Sequence, residues 1–210
     1  MTTRFTRLAG GLALAAMLAS PVAIDAAQAQ TSLSDRDIMK ELSDVTDFDP
    51  SLTALVLRGM AQDAVSQNTP LTLDKSAIAE RLDKLAQIDV QIQFALGSAI
   101  IRPESYATIG SIADALHHPI LWNYRFLVVG NTDTTGTRAF NLKLSQERAE
   151  AVVQALVTVF GVEPERLDAV GLGQEALEDP KKPTDPINRR VEIFTIGTVT
   201  PMPNARLNPQ

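Results

Sequence analysis

The sequence predicts an α/β fold: two main helices packed on one face of a mixed four-stranded sheet, in the order β-α-β-α-β-β. Three observations carry this. Over residues 88–197, short strand-like segments alternate with longer helical ones. One helical segment places Ala149, Val152, Val153, Leu156, Val157 and Phe160 at offsets 0, 3, 4, 7, 8 and 11, one face of a helix. A strand–helix–strand unit also favours parallel neighbours through a right-handed crossover.

The elements come in order. Asp89 to Phe94 alternates polar and apolar residues, the pattern of a half-buried strand. Pro103 suits the first turn of a helix that runs to about His117, with Ile109, Ile112, Ala113 and Leu116 as its buried stripe. Arg125 to Val129 is a second, more apolar strand, stopped by Gly130. A polar loop, Asn131 to Asn141, leads to the long helix, for which Ser145 is the candidate cap and Gly161 the terminating glycine. Leu167 to Gly171 reads as a short strand. A Pro-rich loop, Asp179 to Pro186, precedes the last strand, Arg190 to Ile196.

Residues 30–87 read as a polar lead-in, a linker that partly packs on the folded unit of residues 88–197. Short helices are expected at Ser34 to Leu42, Pro50 to Gln62 and Leu73 to Ala86, the last with Asp74 as candidate N-cap. Asn68-Thr69-Pro70 breaks the second. Residues 198–210 read as a loose tail rich in proline and asparagine.

The first residues read as an address. Arg4 and Arg7 precede an apolar run, Leu8 to Ala19, and Ala27-Gln28-Ala29 is a small-x-small cleavage signal. This is the pattern of a secretory signal peptide, residues 1–29. The run falls short of the roughly 20 residues that span a bilayer. No later stretch is long and apolar enough to be a transmembrane helix. Cleavage would leave 17 basic and 24 acidic residues. The expected product is exported, acidic and periplasmic.

Composition excludes several chemistries. The net charge of −6 argues against nucleic acid as a partner, because phosphate binding wants a basic face. There is no cysteine, hence no disulfide, thiolate metal site, cysteine nucleophile or lipidated N-terminal cysteine. The two histidines, His117 and His118, are adjacent at a helix end, where a cation suits the helix dipole. Neither H-E-x-x-H nor Ser-x-x-Lys occurs, and Gly171-Leu172-Gly173 lacks the third glycine of a nucleotide-binding turn. The expectation is a noncatalytic protein with no cofactor and no metal. Residues 30–87 are also too few for an eight-stranded barrel, at about ten residues a strand.

Spaced motifs then carry a resemblance. They are Gly130-Asn131-Thr132-Asp133-Thr134-Thr135-Gly136, Asn141-Leu142-Lys143-Leu144-Ser145-Gln146-Glu147-Arg148-Ala149, Gly161-Val162, Arg166-Leu167, Gly171-Leu172-Gly173 and Asn188-Arg189-Arg190-Val191. Together they resemble the OmpA C-terminal-like family (OmpA, MotB, Pal), with its G-H-T-D-x-x-G, N-x-x-L-S-x-x-R-A, G-V, R-L, G-x-G and N-R-R-V runs. Phe94 to Ala99 is similar to the family's turn after the first strand. The resemblance covers about residues 88–197 and implies a two-layer sandwich that grips peptidoglycan without covalent chemistry.

By the resemblance, the ligand is the diaminopimelate of the stem peptide, whose far end is a zwitterion. Asp133 would meet its ammonium. Arg148, placed in the first turn behind Ser145, would meet its carboxylate through a planar fork. The residues alone leave open a plain surface ion pair between the two. Asn141, ahead of the helix, would bond the ligand or hold the loop. Arg189 or its neighbour Arg190 would line the groove or form a structural salt bridge, with one facing the sheet and the other solvent. Gly136 suits a turn with positive φ. Phe94 and Phe140 read as core, with a ligand platform as the alternative.

Two departures are visible. Asn131 stands where the family carries His, and Ala95-Leu96-Gly97 stands where many members carry polar groups. The expected function is peptidoglycan binding that tethers or organises the envelope, in the periplasm, either free or in association with the outer membrane. The alternative is an adaptor that docks on an envelope protein through residues 30–87.

Overall fold

The computed structural model describes residues 34–45 and 48–199; the proposed signal peptide and most of the proposed tail lie outside them. In chain order the elements are α1 (Asp35–Ser43), α2 (Ala54–Ser66), α3 (Ala77–Leu82), β1 (Gln87–Val90), α4 (Tyr106–Leu116), β2 (Tyr124–Asn131), α5 (Arg138–Thr158), β3 (Leu167–Gly173) and β4 (Val191–Thr198). The sheet runs β1-β4-β2-β3. The β2–β3 pair is parallel; β4 is antiparallel to both β1 and β2. The mixed four-stranded α/β fold expected from the sequence is therefore present.

Strand alternation sorts the side chains into two cores. On one face Ile88, Val90, Phe126, Val128, Val191 and Ile193 meet α4 and α5. Ile38 and Leu42 of α1 join that core, and Thr195 Oγ1 donates to the Leu42 carbonyl at 2.7 Å. On the other face Leu127, Val129, Val170, Leu172 and Phe194 meet Leu57 and Ala61 of α2 and Ile78 and Leu82 of α3. Helices thus cover both faces of the sheet, and α1 to α3 supply part of each core.

Several boundaries differ from those expected. The first strand ends at Val90, not Phe94. Beyond it Ser105 Oγ accepts from Gln93 N at 2.7 Å, and Phe94 makes a single bridge to Ile101. The segment expected as a helix from Leu73 becomes helical only at Ala77, capped by Ser76 rather than Asp74. Ser76 Oγ accepts from Ala79 N and donates to the Glu175 carbonyl at 2.6 Å, so a tertiary bond decides which residue caps. The helix expected from Pro50 starts at Ala54, where the Thr53 hydroxyl accepts from Val56 N.

The largest correction concerns α5. It begins eight residues earlier than the Ser145 cap implies. Thr137 Oγ1 accepts from Phe140 N at 3.2 Å and is the N-cap. Ser145 is fully buried inside the helix. Its hydroxyl donates to Leu142 O and accepts from Gly173 N at 2.8 Å, which ties α5 to β3. The helix runs close against the sheet at two glycines. A Cβ on Gly130 would lie 2.3 Å from Ser145 O, and one on Gly171 would lie 2.0 Å from Gln146 N. Gly161 closes the helix as expected: its φ is +73°, and Val162 N reaches back to Leu156 O at 3.0 Å.

Candidate functional site

The site forms where β2 ends and α5 begins. The chain leaves β2 at Asn131, and its next residues are stitched down by backbone bonds. Thr132 N donates to Gly173 O at 2.8 Å, and Thr134 N to Pro183 O at 3.0 Å. Between them Asp133 is held with its side chain only 6% exposed. Its Oδ1 accepts from Thr135 N at 2.8 Å and its Oδ2 from Arg189 Nη1 at 2.5 Å. Gly136 comes next in the turn with φ +98°, as expected of it.

Burial alone would raise the Asp133 pKa, but the bonds from Arg189 and Thr135 outweigh it and hold the carboxyl below its usual range. Asp133 is therefore an anion at neutral pH. Each carboxylate oxygen has more than one acceptor site, so these two bonds do not saturate it.

Asn141 is buried in the first turn of α5 rather than ahead of the helix; its N–H donates to Thr137 O at 2.9 Å. Its Nδ2 donates to the Asp133 carbonyl at 3.0 Å and to Gln174 Oε1 at 2.9 Å. Its side-chain amide N–H groups thus tie the loop at Asp133 to Gln174. Gln174, buried just past β3, is a partner that sequence reasoning did not single out.

Arg148 sits in the third turn of α5, not the first, because the helix starts so much earlier. Free helix-start amides are therefore not beside it. Its guanidinium lies 4.9 Å from the centroid of the Phe94 ring, and its Nε donates to Ser98 O at 3.1 Å. Among the described residues it has no ion-pair partner. Burial lowers its pKa, the nearby Arg189 charge lowers it further, and Asp133 partly compensates. Arg148 and Asp133 thus feel each other's charge without forming the direct pair that spacing alone left open.

Arg189 and Arg190, the two residues before β4, differ in exposure. The Arg189 side chain is 47% exposed and bonds Asp133, whereas that of Arg190 is 8% exposed. Arg190 Nη2 pairs with Glu192 Oε1 at 3.0 Å and with Glu178 Oε2 at 3.4 Å. Asn131, at the position noted for its missing His, is buried and donates to Glu192 Oε2 at 2.5 Å. Burial pushes the Glu192 pKa up to about 7, against the opposing pull of Arg190. Phe94 packs partly on the core while carrying Arg148. Phe140 is half exposed and is not core.

The site residues therefore form one constellation: Asp133, Asn141 and Arg189 in contact, with Arg148 across a cleft of about 320 Å³ that Arg189 also lines. Among the described residues no group of His, Asp or Glu is arranged to hold a metal, and no helix is long and apolar enough to cross a membrane.

A model of the OmpA family matches residues 93–192. This stretch is an OmpA-family domain. It contains Asp133, Asn141, Arg148 and Arg189. The chain is 35% identical over 133 residues to outer membrane protein P5 of Haemophilus influenzae, a match covering 58% of this chain and 37% of that protein. It is 33% identical over 111 residues to outer membrane porin F of Pseudomonas fluorescens, covering 52% and 33%. Among solved structures, the peptidoglycan-associated lipoprotein of Burkholderia pseudomallei is similar at 33% identity, with a TM-score of 0.41 and coverage of 50% of this chain and 87% of that one. These curated relatives are outer membrane proteins by name, and the chain spans about a third of their length.

Proposed function

We propose that the OmpA-family domain binds peptidoglycan noncatalytically, by clasping the zwitterionic end of diaminopimelate in the stem peptide. OmpA-family domains associate with peptidoglycan, which supplies the ligand class. The observation that carries the finer reading is the charge pattern of the Asp133–Arg189–Arg148 constellation. Asp133 is a fixed anion with acceptor capacity to spare, and Arg148 is a partly buried guanidinium without an ion-pair partner among the described residues. An ammonium and a carboxylate on one carbon complement that pattern. Asp133 takes the ammonium. Arg148 takes the carboxylate with its planar fork, which is pre-set by Phe94 and by Ser98 O. Asn141 holds the Asp133 backbone and Arg189 its side chain, so both enter as supports of the clasp. The protein then tethers or organises the envelope from the periplasm, after loss of residues 1–29.

Calorimetry of the purified protein with meso-diaminopimelate tests this. Asp133→Ala and Arg148→Ala should each remove most of the binding while leaving the circular dichroism spectrum unchanged. Equal affinity in the parent and both variants would reject the site. The protein should also sediment with purified sacculi without releasing soluble fragments.

A further inference from the structure

The cleft has more positive charge than a zwitterion needs. Arg102, Arg148, Arg189 and Arg190 all line it, with Phe94 and Leu96 as apolar wall, and no Asp or Glu is among the described residues that line it. This is notable in a chain whose net charge is −6. Two of the four already have acid partners: Arg189 has Asp133, and the buried Arg190 has Glu178 and Glu192. Arg148 serves the carboxylate of the zwitterion in the reading above. Arg102 is left over. Its nearest acid is Glu104, at 3.7 Å, and both side chains are more than half exposed. Such a contact is screened by water and holds the guanidinium weakly.

Arg102 is nevertheless well placed. Its N–H donates to Gln93 O at 2.8 Å, and its neighbour Ile101 bridges Phe94. Arg148 stacks on that same Phe94. The Arg102 backbone and the Arg148 guanidinium are therefore both tied to one short segment, and both residues line one cleft. A ligand carrying a single zwitterion would leave that excess of positive charge unanswered.

We propose that Arg102 forms a second anion subsite in this cleft, for a further carboxylate on the same peptide as the zwitterion. The proposal rests on the diaminopimelate reading. The matching chemistry is a short acidic peptide whose residue next to diaminopimelate carries a free carboxylate. Leu96, fully exposed at the cleft wall, lies against the aliphatic parts of that peptide.

The experiment is calorimetry with three probes: meso-diaminopimelate alone, the tripeptide L-Ala-γ-D-Glu-meso-diaminopimelate, and that tripeptide with the glutamate α-carboxylate amidated. The parent should bind the acidic tripeptide more tightly than the amidated one. Arg102→Gln should weaken the acidic tripeptide by about fivefold, the upper range for an exposed charge contact. The same change should leave the amidated tripeptide and free diaminopimelate unaffected, and Arg102→Lys should retain most of the preference. Arg102→Gln that leaves the acidic tripeptide unchanged, or weakens all three probes alike, overturns the subsite. If the parent binds none of the three, the diaminopimelate reading itself fails and the subsite fails with it. Loss of all three on Asp133→Ala, with only the acidic tripeptide affected by Arg102→Gln, supports both.

Discussion

Arg189 Nη1 lies 2.5 Å from Asp133 Oδ2, so an arginine half open to solvent just before β4 is spent on the buried acid of the loop. Arg189 lines the cleft, and Asp133 is bonded to it from the loop after β2. Their pairing helps to hold Asp133 as the carboxylate.

Removing Arg189 should therefore be felt through Asp133. Arg189→Ala should cost about 1 kcal/mol at neutral pH, the usual worth of one such bond with a half-exposed partner. The Asp133 pKa is lowered in the fold, so its contribution is present above the ordinary value of 3.8 and fades as pH falls below it. Urea melts of parent and variant should differ at pH 7, and the gap should shrink as pH falls below 3.8. A constant gap would contradict the assignment.

Glu192 gives the opposite sign. Its folded pKa, about 7, is above the ordinary 4.5 because burial disfavours the carboxylate. Between those values the folded state holds a proton that the unfolded chain has released. Stability should thus fall as pH rises from 4.5 to about 7, by up to on the order of 3 kcal/mol, and level off above. Asp89, also raised by burial, acts in the same direction just above its ordinary 3.8. Glu192→Gln keeps an acceptor for Asn131 and should flatten most of that slope in thermal melts.

The glycines make a paired test. A Cβ at Gly171 would meet the α5 backbone at 2.0 Å, with no flexible side chain to yield. Gly171→Ala should cost more than about 3 kcal/mol or prevent folding. In α2, Gly59 has nothing within 4 Å of the same construction. Gly59→Ala should stabilise by about 0.5–1 kcal/mol, through better helix propensity. Denaturant midpoints of the two variants should move in opposite directions.

Leu57 is fully buried between α2 and the sheet. Leu57→Ala should cost about 2–5 kcal/mol in a urea melt. A much smaller loss would mean that α2 does not stay packed on Leu127, Val129 and Val170.

The sheet and its two main helices were legible because their signals are local: alternation at Asp89 to Val90, the apolar run of β2, and the helical spacing after Ala149. The start of α5 was not. Ser145 looks like a cap by residue type, but its hydroxyl is used across the layer on Gly173 N. Thr137, eight residues back, has the same chemistry and no apolar stripe beside it to mark it. The end of the first strand was hidden for a similar reason. Gln93 N finds the Ser105 hydroxyl instead of a ladder partner, which only the fold reveals. At the site, Asp133, Asn141, Arg148 and Arg189 were picked out by motif. Gln174 and the Phe94–Arg148 stack were not, since each depends on residues 33 and more apart coming together.

The absent side chains of Gly130 and Gly171 have a mechanical consequence. They let α5 rest directly on the backbone of two neighbouring parallel strands. A pull on the Arg148 guanidinium is then passed from the α5 backbone to β2 and β3 together. Were α5 perched on bulky side chains, the same tug would peel it away one contact at a time.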